Sequence, residues 1–409
     1  MFLEFEFDLV AAEAASNKGL CVRCIGRLFG KSGTGMTNVQ RGDIVQSALT
    51  EKGIRPNEGT CTLCNNIFDE LELFADAAAE KLLTVESENF LIGTRVDPET
   101  AAKETELWKE LGTESAEAIK TELNREIGKL VFSRINRTVD FKNPNVVALI
   151  DTQFADVTLD IAPVFIYGRY NKLSREIPQT IWPCRVCKGK GCPRCKGVGK
   201  MYETSVQEII GDIAVKMCNG TVHALHGMGR EDIDALMLGT GRPFVLEVSE
   251  PKVRSIDLAE LEKLSNMSDL AKFNGLTFTT REKVQWTKDL APTKTYKVRV
   301  RADGKVNKER VNEVARSIRN LCIDQRTPLR VEHRRADLVR KREVLWVEAE
   351  WIDDDTFDLT LETGSGTYVK EFVSGDGGRS VPSFSDILGV QCRVETLDVL
   401  AVNDEKVDK

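Results

Sequence analysis

The sequence is poor in histidine and lacks the short motifs of several large enzyme classes. Its three histidines stand at positions 223, 226 and 333. It contains no P-loop lysine motif, no glycine-rich dinucleotide fingerprint and no Gly-x-Ser-x-Gly elbow. We therefore expect no organic cofactor, and we expect a carboxylate rather than a histidine to carry any covalent or acid–base step.

Long apolar runs are also absent, so no segment reaches the length of a membrane-spanning helix. The N-terminus MFLEFEFDLV alternates apolar and acidic residues and has no basic region, which predicts a β-strand and not a secretion signal. With 409 residues, 41% of them hydrophobic and 30% charged, the chain is expected to form a cytoplasmic protein of at least two domains with no membrane partner.

Cysteine is plentiful, and its spacing indicates metal sites. Eight of the eleven cysteines form Cys-x2-Cys pairs, a knuckle that presents two thiolates to one ion. Two tetrahedral zinc sites are predicted, the first from Cys21, Cys24, Cys61 and Cys64 and the second from Cys184, Cys187, Cys192 and Cys195. Because four thiolates leave no open coordination position, we expect both zinc ions to be structural.

Charge is distributed unevenly along the chain. The net charge is −7, yet residues 168–200 hold nine lysines and arginines against one acid, and residues 297–346 hold fifteen against seven. A single basic segment is most often a solvated face, but basic segments are also typical of nucleic-acid binding. Two such segments, one of them around a cysteine cluster, favour a nucleic-acid partner.

Hydrophobic periodicity predicts the order of the elements. The patterns indicate two helical regions, 66–83 and 99–135 with a break at Gly112, followed by strands over 146–152 and 156–168. The proline- and glycine-rich basic segment 169–201 is predicted to connect two domains. Beyond it, TVHALHG and FVLEV are predicted to be strands on either side of a glycine-rich loop.

That loop, HGMGREDIDALMLGTGRP, carries the candidate chemistry. It places Arg230, Glu231 and Asp232 directly after a strand, with Arg242 farther along. An ionised aspartate can attack an electrophilic carbon when a nearby cation orients it and keeps it charged. An aspartate in such a place is more often a turn residue or a helix cap, so both interpretations stay open at this point.

Three motifs together resemble one enzyme family. The loop GREDIDALMLGTGRPFVLEVSEP, the segment QRTPLRVEHRRADLVRKR and the segment LETGSGTYVKEFVSGDGGRSVPSFSDILG resemble the archaeal-type tRNA pseudouridine synthases, which have an N-terminal zinc- and THUMP-containing region and modify adjacent T-loop uridines. The resemblance implies an α+β protein. Its implied domains are a zinc-binding, THUMP-containing RNA-binding domain over 1–180, a basic four-cysteine zinc connector over 181–200, and a pseudouridine synthase domain over 201–409 with a mixed, largely antiparallel sheet.

The same resemblance implies roles for individual residues. Asp232 would be the nucleophile, attacking either ribose C1′ or uracil C6. Tyr296 would pack against the everted uracil and help to remove the proton on C5. Lys370 would pair with the aspartate, and Leu388 would lie near the floor of the pocket. Arg230 would fill the space that the everted base leaves in the RNA stack.

The resemblance also implies tRNA as the partner, bound through its T-arm and acceptor end, with no obligate protein partner. Phosphate contacts are implied for Arg326, Arg330, Arg334, Arg335, Arg340 and Arg342, and Arg242 is predicted to bind the substrate RNA. At the end of the THUMP-type module, the residues implied to hold the acceptor end are Arg169, Tyr170, Lys172 and Arg175.

Two other functions are compatible with the same residues. A non-catalytic zinc protein that binds or chaperones RNA would use the same basic surfaces and would be indifferent to Asp232. A THUMP-linked methyltransferase or thiolation enzyme would need a nucleotide or methionine-derived cofactor, and the missing glycine fingerprints disfavour it.

Overall fold

The computed structural model describes residues 5–112 and 114–404 and divides into two compact units. The smaller unit contains the chain up to residue 162 together with 252–254, and the larger unit contains the remainder. Each unit combines helices with a β-sheet, which confirms the predicted α+β class. No helix in the described part of the chain has both the length and the apolar character needed to cross a membrane.

The smaller unit packs helices around a four-stranded sheet. Its elements are α1 (Leu9–Asn17), α2 (Val22–Arg27), α3 (Asn38–Glu51), α4 (Leu71–Leu83), β1 (Asn89–Arg95), α5 (Pro98–Leu111), α6 (Ile119–Arg134), β2 (Thr138–Val139), β3 (Val146–Asp151) and β4 (Asp156–Ile161). The strand order is β2-β1-β3-β4, with β1 parallel to both neighbours and β4 antiparallel to β3.

Local sequence explains most of these boundaries. Gly112 ends α5 in the left-handed region at a φ of 64°, as the predicted break requires. Asp8 caps α1 by accepting from the N–H groups of Val10 and Ala11. The predicted N-terminal strand is therefore wrong over residues 5–10, because residues 5–8 form no strand and an alanine-rich helix begins at Leu9. Residues 1–4 of that prediction lie outside the described residues.

The larger unit is built on one long sheet. Its elements are β5 (Val164–Lys172), α7 (Val206–Cys218), β6 (His223–Gly227), β7 (Leu236–Val248), α8 (Leu258–Ser265), β8 (Ala271–Thr279), α9 (Arg281–Asp289), β9 (Thr293–Ala302), α10 (Lys308–Ser317), β10 (Arg319–Arg326), β11 (Val339–Trp351), β12 (Thr356–Thr363), α11 (Val369–Ser374), β13 (Ser380–Val381), α12 (Phe384–Leu388) and β14 (Cys392–Asn403). The order is β13-β10-β11-β12-β9-β14-β7-β5-β8, with β6 paired to β7.

This sheet is mixed but mostly antiparallel, as the sequence predicts. The pair β14–β7 is parallel, and the other described pairs in it are antiparallel. One apolar cluster includes residues of β5, β7, β8 and α7, and a second includes residues of β9–β12 and α10–α12. Tyr296 and Leu397 pack against both clusters, so they mark the place where the two halves of the sheet meet.

The predicted strand over 156–168 is in fact two strands that belong to different units. It breaks at Pro163, which has no N–H group to donate to a sheet, and β5 then pairs with β7 and β8. The division of the chain therefore falls before β5 and not near residue 180. The basic cysteine-containing segment lies within the larger unit.

Candidate active site

A cavity of about 750 Å³ opens on the larger unit where the two halves of its sheet meet, and we call it the catalytic cavity. Its walls come from the β6–β7 loop (229–234), from β9, from the turn after β10 and from the start of α11. The resemblance-based candidates Asp232, Tyr296 and Lys370 all line it. The fold thus brings together three residues that are far apart in the sequence.

Asp232 lies in this cavity between two cations. Arg330 forms an ion pair with its carboxylate at 3.0 Å, and the Nζ atom of Lys370 is 3.9 Å away. Lys370 makes its shorter contact with Asp234, at 2.7 Å. The carboxylate is 36% exposed, so it can be reached from solvent.

Lys370 thus lies beside the aspartate as predicted, but Arg330 is the closer cation. Its Nε atom is also 2.6 Å from Glu371 on α11, so one guanidinium joins Asp232 to a buried carboxylate. Arg330 is predicted to contact phosphate, but in this structure it orients the candidate nucleophile. Sequence alone provides no signal for the pairing, because the two residues are 98 positions apart.

A buried network supports the loop that carries Asp232. Arg242 forms an ion pair with Glu231 at 2.9 Å, and both side chains are 1% exposed. The hydroxyl of Tyr170 donates to Glu231, and Gln179 donates to that hydroxyl at 2.8 Å. Arg242 also donates to the carbonyl of Met228 at 2.7 Å. These contacts support the loop. Tyr170 is fully buried and does not line the cavity, which contradicts its predicted contact with RNA. Arg242 is 1% exposed but lines the cavity, so its contact with the substrate stays a prediction.

The other residues predicted to bind the acceptor end of tRNA also make their contacts within the larger unit. Lys172 is fully buried and donates to the carbonyls of Ser174 and Ile233, which contradicts a contact with RNA. Burial lowers the pKa of Lys172 to about 8. Arg169 pairs with Asp404 at 3.0 Å, and Arg175 pairs with Asp398 at 2.6 Å.

Tyr296 and Lys294 project into the cavity from the same side of β9. Burial raises the pKa of Tyr296 to about 12, so its phenol is neutral at pH 7. A neutral phenol can pack against a base or donate a hydrogen bond, but it is a poor proton acceptor. Burial, with Arg242 nearby, lowers the pKa of Lys294 to about 8, and sequence reasoning missed this residue.

The remaining predicted residues divide between the rim of the cavity and other places. Arg335 donates to the hydroxyl of Tyr368 at 3.1 Å, and Arg335, Arg340 and Arg342 line the cavity. Arg326 pairs with Asp337 and is absent from the lining. The side chain of Arg334 lies outside the described residues. Leu388 packs in the apolar cluster of α10–α12, so its predicted place near the pocket floor is not seen.

Arg230 makes a contact that sequence reasoning did not anticipate. Its guanidinium lies over the ring of Trp182, 4.7 Å from the centroid, and Trp182 packs against Tyr202. Both aromatic residues line the catalytic cavity, one on each side of the second cysteine cluster in the sequence. The sequence does show an aromatic residue on each side of CRVCKGKGCPRC, and this could have indicated the contact. The prediction relied instead on the positive charge of the segment.

The two predicted cysteine groups form compact clusters. In each group the four Sγ atoms lie within 4.8 Å of one another. In the first, Arg27 donates to Cys24 Sγ at 3.4 Å, and in the second, the Gly199 N–H donates to Cys195 Sγ at 3.2 Å. Sulfur atoms that accept hydrogen bonds from such donors fit thiolate ligands, so both groups could hold a metal ion of the kind that prefers four sulfurs.

Sequence comparisons assign the chain to a family. A family model described as "Pus10, C-terminal" matches residues 165–403, and one described as "Pus10 THUMP domain, archaeal" matches residues 74–151. A protein from Methanothermobacter marburgensis named tRNA pseudouridine synthase Pus10 is 41% identical over 94% of this chain and 95% of its own length. The chain belongs to the Pus10 family. Pus10 proteins from Halorubrum lacusprofundi and Pyrococcus furiosus are 37% and 38% identical over 97% of this chain, and the matches span 96% and 97% of their lengths.

The Pus10 matches confirm the family resemblance and correct one detail of it. The THUMP match ends at residue 151, while the C-terminal Pus10 match includes all of 169–175. The prediction that Arg169 to Arg175 end a THUMP module is therefore wrong, in agreement with the pairing of β5 in the larger unit. Solved structures match with low TM-scores: 0.29 for a Cbf5-Nop10-Gar1 complex, 18% identical over 47% of this chain and 44% of the matched chain, and 0.21 for a pseudouridylate synthase, 15% identical over 60% and 66%.

Proposed function

We propose that this Pus10 protein converts uridine in the T-loop of tRNA to pseudouridine, with Asp232 as the nucleophile. The observation that carries the proposal is the place of this carboxylate, which is reachable in an open cavity, held by Arg330 and beside the half-buried Tyr296. A relative's name supplies tRNA as the substrate class. The arrangement supplies what an aspartate nucleophile needs, namely a cation that orients it and keeps it ionised.

The reaction is an isomerisation that consumes no cofactor. The Asp232 carboxylate attacks ribose C1′ or uracil C6, the bond between C1′ and N1 breaks, and the uracil rotates in the cavity. A bond then forms between C1′ and C5 and the bond to Asp232 breaks, which regenerates the free carboxylate. The proton on C5 is lost while N1 gains one, so atoms and charge balance. Because the target uridine is stacked in RNA, it must first be everted at a cost of a few kcal/mol.

Other side chains of the cavity divide the remaining tasks. Tyr296, with its neutral phenol, packs against the everted uracil. Arg335, Arg340 and Arg342 give the rim a positive charge that attracts the RNA backbone. Each cysteine cluster holds one structural zinc ion that takes no part in the chemistry. Binding to the T-arm and the acceptor end of tRNA and a cytoplasmic location stay predictions.

Replacing the nucleophile by its neutral isostere tests the proposal. Asp232→Asn should abolish pseudouridine formation, measured as tritium release from a T-arm transcript that carries uridine labelled at C5, while the Kd for that transcript changes little. Asp212→Asn is the control, because it removes an exposed carboxylate of α7 that does not line the cavity. Full turnover by the Asp232 variant would reject the nucleophile, and binding without tritium release by the wild type would favour a non-catalytic RNA-binding protein.

A further inference from the structure

The second cysteine cluster connects to the catalytic cavity through two aromatic side chains. Pro183 and Lys200 form a β-bridge that closes the four-cysteine segment 183–200, which we call the four-cysteine knuckle. Next to this bridge, the Met201 N–H donates to the carbonyl of Trp182 at 2.8 Å. This places Trp182 and Tyr202 side by side, with ring centroids 5.6 Å apart and planes at 79°. Both rings line the cavity.

The four-cysteine knuckle has few buried apolar side chains that could hold these two rings in place. Val186 and Val198 within it are 58% and 61% exposed. Its order must therefore come from the four cysteines, whose Sγ atoms lie within 4.8 Å of one another and fit the ligand set of one metal ion. A metal ion bound by these cysteines would fix the register of the bridge and, with it, the position of Trp182 and Tyr202.

Trp182, one member of the aromatic pair, already stacks with the planar guanidinium of Arg230. Arg230 is exposed, stands two positions before Asp232 and lies over Trp182. A guanidinium and a nucleobase use the same face of an aromatic ring, so a surface that stacks one can stack the other. Trp182 and Tyr202 are only half-buried, which leaves aromatic surface free for such contact.

The charges around Trp182 and Tyr202 favour RNA as the source of a base stacked on them. The segment from 177 to 202 contains no acidic residue. Five of its cations are exposed around the knuckle: Arg185, Lys188, Lys190, Arg194 and Lys196. Exposed cations next to aromatic stacking surfaces are typical of single-stranded RNA sites, where phosphates and bases are bound together.

We propose that the four-cysteine knuckle is a substrate-positioning element in which Trp182 and Tyr202 stack an unpaired nucleobase next to the everted uridine. The inference rests on the proposed function, since it places this base beside the nucleotide that reaches Asp232. Trp182 acts by holding RNA, and the metal acts through Trp182. The knuckle itself has no part in bond making or breaking.

A fluorescent base next to the target uridine tests the stacking. With 2-aminopurine at that position of a T-arm hairpin, binding to the wild type should quench the fluorescence. Trp182→Leu should remove the quenching and raise KM about 5- to 140-fold, which follows from 1–3 kcal/mol per stacked base at 1.4 kcal/mol per tenfold, with kcat changed less than about twofold. Trp182→Phe keeps a ring and should retain most of both signals.

A second tryptophan provides a matched control. Trp286 also carries a cation over its ring, Lys283 at 3.3 Å, but it does not line the cavity. Trp286→Leu should leave the quenching and KM unchanged. Cys187→Ser should reproduce the effect of Trp182→Leu, and the double variant should be no worse than Trp182→Leu alone, because the metal acts through that residue.

Two results would overturn the proposal. The first is a Trp182→Leu variant with lower kcat but normal KM and quenching, which would mean that the tryptophan only braces Arg230. The second is full additivity of the Cys187 and Trp182 substitutions. Quenching by a wild type that makes no pseudouridine would instead reject the proposed function and leave the stacking site standing.

Discussion

Lys294 is a buried cation that should weaken the fold, and its replacement gives a quantitative test of the site. The residue is 7% exposed, and its hydrogen bond is a long one, 3.5 Å to the hydroxyl of Ser365. Within the described residues no carboxylate forms an ion pair with it. Lowering the pKa from 10.5 to about 8 corresponds to about 3 kcal/mol at 1.36 kcal/mol per pKa unit.

Lys294→Met should therefore raise the free energy of unfolding of the larger unit by about 1–3 kcal/mol at pH 7. The gain depends on pH in a defined direction. Below pH 8 the lysine is charged in both the folded and the unfolded state, so its full cost is present. As the pH rises from 8 to 10.5 the folded state loses its proton first, the cost disappears, and wild type and variant should converge.

Urea unfolding followed by tryptophan fluorescence at pH 7 and pH 10 measures this effect. Lys297→Met on the same strand is the control, because that lysine is 40% exposed and pairs with the exposed Glu350. Its second partner, Asp358, keeps Arg299 at 2.9 Å, so the loss of Lys297 should cost only about 0–1 kcal/mol. A Lys294→Met variant that is less stable than the wild type at pH 7, or whose gain persists at pH 10, would refute the reasoning. We also expect this variant to bind RNA more weakly, since it removes a positive charge from the lining of the catalytic cavity.

Three other outcomes follow from the contacts of the site. Arg330→Met should lower kcat for pseudouridine formation more than Lys370→Met does, because Arg330 is 3.0 Å from Asp232 and Lys370 is 3.9 Å away; equal losses would contradict this order. Glu231→Gln should destabilise the larger unit by about 3–5 kcal/mol in urea unfolding, since it leaves a buried guanidinium without its charge partner. Cys24→Ser should remove one zinc ion per chain by elemental analysis and leave the second site occupied, and an unchanged zinc content would contradict the assignment.

The sequence by itself determined those features that depend on neighbouring residues. Cys-x2-Cys spacing predicted both clusters, because a knuckle is set by four consecutive residues. Gly112 and the apolar spacing around it predicted where α5 ends and α6 follows, since caps and periodicity act within a few residues. The motif around Asp232 marked the candidate nucleophile for the same reason.

Only the tertiary structure decided which distant residues meet. Alternating residues showed that the segment of β5 is a strand, but strand pairing is a long-range choice, and this strand pairs in the larger unit. The same pairing buries Tyr170 and Lys172, whose types suggested RNA contacts. It is also the fold that places Arg330 on Asp232 and leaves Lys294 without a carboxylate partner in the described residues. Burial and charge pairing depend on what packs from elsewhere in the chain, and the identity of a residue does not specify its neighbours.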